Sequence, residues 1–131
     1  MEGLVLSKFQ NRVSDLLVRH RSILDSLSKY QESCAKVNRS IMKATTSCGC
    51  ININAKKQTI PNNISYNELK DFMDNHISGT LCPICKDKVE KEIGNHVFYL
   101  ASICNSLNLN LSTILDTQCK QMDTLGKYNL Y

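Results

Sequence analysis

Four cysteines in two close pairs constrain this chain more than any other feature of its sequence. Cys48-Gly49-Cys50 and Cys82-Pro83-Ile84-Cys85 have the spacing with which two short turns hold a tetrahedral zinc ion. Four thiolates fill every coordination position of zinc, so the pattern predicts a structural metal site. Two alternatives stay open: cysteines that lie close together by chance, and a redox pair at Cys82 and Cys85. The redox pair lacks the strand-rich sequence that precedes such pairs in thioredoxin-like proteins.

Composition and charge narrow the class of protein. The chain has 131 residues, which predicts one domain, and its seven cysteines are odd in number with no signal peptide before them. We therefore expect a cytoplasmic protein rather than a secreted disulfide framework. No apolar run is long enough to cross a membrane. The net charge of +4 is spread out, so a nucleic-acid partner is not expected.

The first third of the chain contains no helix breaker. Residues 4–46 lack both Gly and Pro, which predicts one long helix over about 4–46. Such a helix would be roughly 60 Å long, while a compact domain of this size is about 35 to 40 Å across. The length therefore predicts a homodimer or a higher homo-oligomer. The apolar column expected to pack runs Phe9, Val13, Leu16, His20, Ile23, Leu27, Tyr30, Cys34, Val37, Ile41.

The rest of the chain predicts a short insert and two further helices. The insert, about 47–85, begins with the alternating Ile51, Ile53 and Ala55, typical of an extended segment. Ser65 and Glu68 have capping-box spacing and predict a short helix that Gly79 ends. A second long helix is expected over about 84–107 and a last helix over about 112–124, capped by Ser112. Cys34, Cys104 and Cys119 are read as small core residues.

The stretch from Glu92 to Ala101, Glu92-Ile-Gly94-Asn95-His96-Val-Phe-Tyr-Leu-Ala101, resembles the Glu-x-Gly-Asp helix of the MazG-like nucleoside triphosphate pyrophosphohydrolases. Residues 107–111 and Lys120, Lys127 and Tyr128 extend the similarity over about the C-terminal third. The resemblance implies an all-α helical bundle that is commonly dimeric or tetrameric. The zinc would tie the end of the first helix to the start of the second long helix, so we expect an antiparallel helical bundle. The resemblance also implies magnesium held by carboxylates on two helices and hydrolysis of nucleoside triphosphates to monophosphate and pyrophosphate.

The site that the resemblance implies is incomplete in this sequence. Glu32 and Glu92 keep carboxylates, while Asn95 stands where the family has an aspartate and Ala35 where its first motif has a second carboxylate. The phosphate-binding positions would be Lys120 and Lys127. Two glutamates with Lys36 beside one of them would hold magnesium weakly.

Three functions follow as expectations. The first is a nucleotide-binding, MazG-like protein with structural zinc and weak or lost hydrolysis. The second is an active magnesium-dependent pyrophosphohydrolase with an atypical site. The third is a helical interaction protein, for which Glu32 and Glu92 are ordinary exposed helix residues. Glu92 with His96, one turn apart, could also bind a transition metal, although a hydrogen-bonded core histidine is the commoner case for both His96 and His20.

Overall fold

The computed structural model describes residues 2–126 of the chain, and this part is mostly helical. Its four α-helices are α1, Glu2–Leu16, α2, Ile23–Lys43, α3, Pro83–Ser106, and α4, Leu111–Leu125. A π-helical turn, Ala44–Cys48, extends α2, and a 3-10 helix spans Tyr66–Phe72. Two short strands, β1, Ile51–Ile53, and β2, Ile77–Gly79, form an antiparallel pair in which Ile51 faces Gly79. The predicted all-α class is confirmed. No described helix combines the length and apolar character needed to cross a membrane.

The residues divide into two compact units. The terminal unit comprises the chain up to Val37 and from Glu92 onward, and the cysteine unit comprises Asn38–Lys91. The terminal unit has a small core of buried apolar residues, with Phe9 and Phe98 packed against it. The core of the cysteine unit centres on Ala44, Ile51 and Cys85. The buried apolar residues of the terminal unit are Val13, Ala101, Cys104 and Leu111.

The prediction of one helix over 4–46 is wrong, because the chain leaves the helix between Leu16 and Ile23. The Arg21 guanidinium donates to the carbonyl oxygen of Leu17 at 2.7 Å, which satisfies an acceptor left at the end of α1. Ser22 Oγ accepts from the backbone N–H of Leu24 at 3.3 Å and so caps the start of α2. Because the helix is interrupted, its length no longer argues for an oligomer.

The break also changes which face of α2 is buried. Ser26 and Ser33 are 0% and 3% exposed, whereas Leu27 and Cys34, one position later, are exposed. The Ser26 hydroxyl lies 2.8 Å from that of Ser102 on α3. The predicted column therefore holds for Val13 but fails at Leu27 and Cys34. The small serines permit close approach of α2 and α3 within the terminal unit.

A buried glutamine joins α1 to the turn before α4. Gln10 is 8% exposed, and its amide group donates to Asn105 Oδ1 at 2.9 Å and to the Leu109 carbonyl at 2.7 Å. Its Oε1 accepts from the backbone N–H of Leu111 at 2.8 Å. The Asn105 amide donates in return to the Gln10 carbonyl at 3.0 Å. One side chain thus satisfies several polar groups that the turn would otherwise bury unpaired.

The later elements match their predictions to different degrees. The second long helix is α3, within a residue or two of the expected bounds, and the last helix is α4, although its cap is Asn110 rather than Ser112. Ile51 and Ile53 do lie in a strand. The short helix after Ser65 is 3-10 and ends at Phe72, so Gly79 does not end it and belongs to β2 instead.

Candidate metal centre

The first cysteine pair is shaped by Gly49. The π-helical turn ends at Cys48, and Gly49 adopts a left-handed conformation with φ of 83° while its N–H donates to the Ala44 carbonyl at 2.9 Å. A positive φ is cheap only for glycine. The chain therefore turns sharply between Cys48 and Cys50 and then enters β1.

The second pair begins helix α3. Pro83 occupies the first helical position, where its missing N–H costs nothing. Cys82 precedes it, and Cys82 Sγ accepts from the backbone N–H of Cys85 at 3.4 Å, as a capping side chain does. Cys85 is buried at 8% exposure in the core of the cysteine unit. The sulfur atoms of this pair are thus held by the first turn of a helix.

The four sulfur atoms meet in one cluster. All four Sγ atoms lie within 4.8 Å of one another, and those of Cys48 and Cys82 are 3.8 Å apart. Tetrahedral zinc with Zn–S bonds of about 2.3 Å places its sulfurs about 3.8 Å apart. All the cysteines are free thiols in the described part of the chain. Within residues 2–126 this is the only group of three or more such side chains placed to hold a metal ion.

The acidity of the cluster is uneven. The backbone N–H of Cys85, together with the Cys85 thiol, lowers the pKa of Cys82 to about 7. The hydrogen bond to Cys82 raises the pKa of Cys85 to about 12. Cys82 thus forms a thiolate readily, and the negative charge of that thiolate opposes ionisation of the neighbouring Cys85 thiol. A divalent cation would remove this opposition, because its charge stabilises all four thiolates.

Gly79 was not singled out as part of this centre, yet it positions the two cysteine pairs. It has φ of 88°, and a Cβ at this position would lie 2.5 Å from the backbone oxygen of Cys50. Only glycine lets β2 pass this close to β1 and deliver the chain to Cys82. The sequence signal was its place three residues before the second cysteine pair.

Gly79→Ala is expected to destabilise the protein by at least about 2 kcal/mol, because the left-handed conformation and the contact with Cys50 both oppose a methyl group. Thermal unfolding with zinc present measures the effect. Gly94→Ala is the matched control, because a Cβ at that position meets nothing within 4 Å. This second change should be neutral or stabilise α3 by up to about 1 kcal/mol. Equal losses of stability for Gly79→Ala and Gly94→Ala would contradict the role of Gly79 in positioning the two cysteine pairs.

Glu32 does not offer a free carboxylate. Lys29 Nζ lies 3.1 Å from its Oε2 and Lys36 Nζ lies 3.1 Å from its Oε1. The hydrogen bonds from Lys29 and Lys36 lower the pKa of Glu32, and the hydrogen bond to Glu32 raises that of Lys36. Glu32 and Lys36 therefore both stay charged near neutral pH. The part played by Lys29 was missed, although its spacing of three residues on a helix signalled it.

Glu92 lies in the electrostatic neighbourhood of the same lysine. The charges of Glu92 and Tyr99 also contribute to the raised pKa of Lys36, so Glu32 and Glu92 both act on one ammonium group. Glu92 Oε2 is buried and has no hydrogen-bond partner among the described residues. Asn95 is exposed on the same helix. The structure thus brings two of the predicted residues near one cation and leaves Asn95 facing solvent.

His96 is held by hydrogen bonding and stacking. Its Nδ1 lies 2.9 Å from Ser33 Oγ, and its ring stacks on Tyr30 with a centroid separation of 4.5 Å. The Ser33 hydroxyl already donates to the Tyr30 carbonyl at 2.7 Å. The Ser33 oxygen must therefore accept from an Nδ1–H, which leaves Nε2 of neutral His96 without a proton. His20 lies in the break between α1 and α2, 3.9 Å from Asp25.

The predicted phosphate-binding residues lie on or beyond α4. Lys120 pairs with Asp116 at 3.0 Å, one turn earlier, and its side chain is 76% exposed. No ion pair joins Lys120 to Glu32 or Glu92 in the part of the chain that the structure covers. Lys127 and Tyr128 lie outside the described residues.

The chain was compared with family models, curated proteins and solved structures. None of the three comparisons finds a match, so the case for function rests on the residues of this chain.

Proposed function

We propose that this chain is a MazG-like helical protein whose four cysteines hold a structural zinc ion and whose hydrolytic metal site has been lost. On this proposal it acts by binding a nucleotide or a protein rather than by catalysis. The observation that carries the loss of hydrolysis is the pair of ammonium groups on Glu32, one at 3.1 Å from each carboxylate oxygen.

Zinc is the metal that best suits the cysteine cluster. Four thiolate sulfurs in a tetrahedral arrangement favour zinc or an iron centre over magnesium and calcium, which prefer oxygen ligands. The Cys48 to Cys82 distance of 3.8 Å fits the edge of such a tetrahedron. A four-thiolate zinc has no open position for substrate, so its role is structural. A structural zinc site of four thiolates requires reduced cysteines, so the proposal places the protein in a reducing compartment, the cytoplasm.

The remaining carboxylates cannot readily support the metal chemistry of a pyrophosphohydrolase. Magnesium is bound through carboxylates and phosphate oxygens, and several ions require more negative charge than two glutamates supply. Here Lys29 and Lys36 already neutralise Glu32, and Ala35 and Asn95 supply no further charge. Nucleotide binding rests on the resemblance of the Glu92 to Ala101 stretch.

One observation favours an active enzyme as the second candidate. Glu92 Oε2 is buried without a partner, and an unpaired buried oxygen is costly unless a cation or a donor satisfies it. A magnesium–nucleotide complex could supply that cation.

An assay for pyrophosphate release separates the two candidates. With a panel of nucleoside triphosphates and either magnesium or manganese, we expect no release above the rate without protein, because Glu32 is occupied by lysines. Turnover that Glu92→Gln abolishes and Asp123→Asn leaves unchanged would overturn the proposal in favour of the enzyme. Titration calorimetry with the same nucleotides tests binding, and absence of heat would leave a protein-interaction role.

A further inference from the structure

The four cysteines of the cluster differ in how far solvent reaches them. Cys48 is exposed, Cys50 and Cys82 are half-buried, and Cys85 is buried in the core of the cysteine unit. Oxidation of a thiolate requires that the oxidant reach its sulfur, so exposure decides which cysteine reacts first. A small oxidant such as hydrogen peroxide therefore meets Cys48 before the other three.

Cys82 is the thiol best placed to react with an oxidised Cys48. The two sulfur atoms are 3.8 Å apart, and a disulfide bond of about 2.05 Å requires them to approach by less than about 2 Å. Cys48 is the last residue of the π-helical turn, before Gly49, and Cys82 precedes the first residue of α3. Both side chains can therefore move without disturbing the interior of a helix.

The other two cysteines are held inside the unit. The Cys50 thiol lies 3.8 Å from the carbonyl oxygen of buried Ala44. Cys85 belongs to the first turn of α3 and packs in the core, so moving its sulfur would open a buried contact. The bond that this arrangement favours is thus Cys48 to Cys82, which joins positions 34 residues apart.

Each step of this oxidation balances. The Cys48 thiolate attacks one oxygen of hydrogen peroxide, the O–O bond breaks, and hydroxide leaves while Cys48 becomes a sulfenic acid. The Cys82 thiolate then attacks the Cys48 sulfur, the S–O bond breaks, and a second hydroxide leaves as the S–S bond forms. Two thiolates have lost two electrons in total, and one peroxide has been reduced to two hydroxide ions.

The disulfide removes half of the ligands that would hold zinc. Only Cys50 and Cys85 remain as thiolates, whereas a structural zinc site fills four positions with protein ligands. Because metal affinity depends on deprotonated ligands, the oxidised cluster releases its metal. The new bond still joins the end of the π-helical turn to the start of α3, so reduction can restore the four-sulfur cluster.

We propose that the cysteine cluster is a peroxide-sensitive switch, in which oxidation joins Cys48 to Cys82 and releases the zinc ion. This inference rests on the structural zinc of the proposed function and adds a second, regulated state of the same site. The order of exposure and the spacing of the sulfur atoms carry it, and it is independent of any nucleotide site.

Peroxide treatment of the reduced, zinc-loaded full chain tests the proposal. With about ten equivalents of hydrogen peroxide, a chromogenic chelator should record release of about one zinc per chain within about an hour. A phosphine reductant and one equivalent of added zinc should then restore the bound metal. Zinc that stays bound would overturn the switch and leave the structural zinc intact. A reduced protein that holds no zinc would overturn both.

Peptide mapping at half release identifies the disulfide. Cleavage at lysine places the two cysteine pairs on separate tryptic peptides, residues 44–56 and 71–86. A Cys48–Cys82 bond joins these peptides, whereas a bond within either pair leaves them separate. Fragmentation should place the bond on Cys48 and Cys82 and find the other two cysteines alkylated. Peptides that stay separate, or a bond between Cys50 and Cys85, would overturn the inference.

Cys48→His tests the exposed sulfur, since histidine also binds structural zinc but forms no disulfide. It should keep about one zinc per chain and release it at least about ten times more slowly. Cys50→His is the matched control: it makes the same exchange at a half-buried position and should leave the release rate unchanged. Equal rates for the two variants would contradict the switch. If either variant fails to hold zinc, the wild-type peptide map decides.

A double variant, Cys34→Ser with Cys119→Ser, removes two exposed thiols outside the cluster. It should release zinc at the wild-type rate, because the disulfide forms within the cluster. Loss of zinc release in this variant would show that oxidation acts through Cys34 or Cys119 and would overturn the inference.

Discussion

Cys85→Ser is expected to abolish stoichiometric zinc binding and to unfold the cysteine unit. The substitution removes one of four sulfur ligands, and Cys85 is also one of the three buried residues at the centre of that unit's core. A core this small contributes little stability, whereas a structural zinc site contributes on the order of 10 kcal/mol to the folding of a small domain. The expected loss is therefore much larger than that of an ordinary core substitution.

Elemental analysis of protein purified under reducing conditions measures the metal directly. The wild-type protein should hold about one zinc per chain and Cys85→Ser less than about a tenth of that. Cys34→Ser is the control, because Cys34 is exposed and lies outside the cluster. A wild-type protein without stoichiometric zinc would contradict the assignment, and stoichiometric iron would correct the identity of the metal.

Gln10→Leu is expected to lower the free energy of unfolding by about 3 kcal/mol or more. Leucine has a similar size but leaves the Leu111 N–H, the Leu109 carbonyl and the Asn105 side-chain oxygen without the partners that Gln10 supplies. Each buried polar group left unpaired costs about 1 to 3 kcal/mol. The turn can shift so that water reaches some of these groups. The total loss of stability should therefore be smaller than the sum of the three separate costs.

Urea denaturation with linear extrapolation measures this change. Gln31→Leu provides the control: Gln31 is exposed on α2, and the substitution should change stability by no more than about 0.5 kcal/mol. A cost below about 1 kcal/mol for Gln10→Leu would show that the network around α1 and the turn before α4 is not a main source of stability.

Local signals predicted several elements well. The cysteine spacing predicted the cluster that the structure forms, because two turns with paired thiols encode their geometry within a few residues. The helix expected over about 84–107 matches α3 within a residue or two, and β1 followed from alternation at Ile51 and Ile53. A hydrogen-bonded His96 was the commoner of its two predicted states, and its Nδ1 does lie 2.9 Å from Ser33 Oγ.

Other features depend on residues distant in sequence. The break after Leu16 was missed because no Gly or Pro marks it, although Ser22 and Asp25 have the spacing of a capping signal. The strand β2 was missed because three residues become a strand only beside β1. Cys34 and Cys119 were expected in the core and are exposed. The apolar period of a helix does not show which of two adjacent lines of residues along the helix faces the core.

The cysteine cluster is therefore what the sequence by itself determined about this protein. Its four ligands lie in two short turns, and thiol chemistry with close spacing restricts both the metal and its geometry. Tertiary structure alone decided the state of Glu92. The ion pairs on Glu32 are local to α2 and follow from spacings of three and four residues. The action of the Glu92 charge on Lys36 arises only where α2 and α3 bring side chains together within the terminal unit, and there Glu92 Oε2 is buried without a partner among the described residues. Charge at such a site depends on distances of a few ångströms between residues some sixty positions apart, because electrostatic energy falls with separation in space and not along the chain.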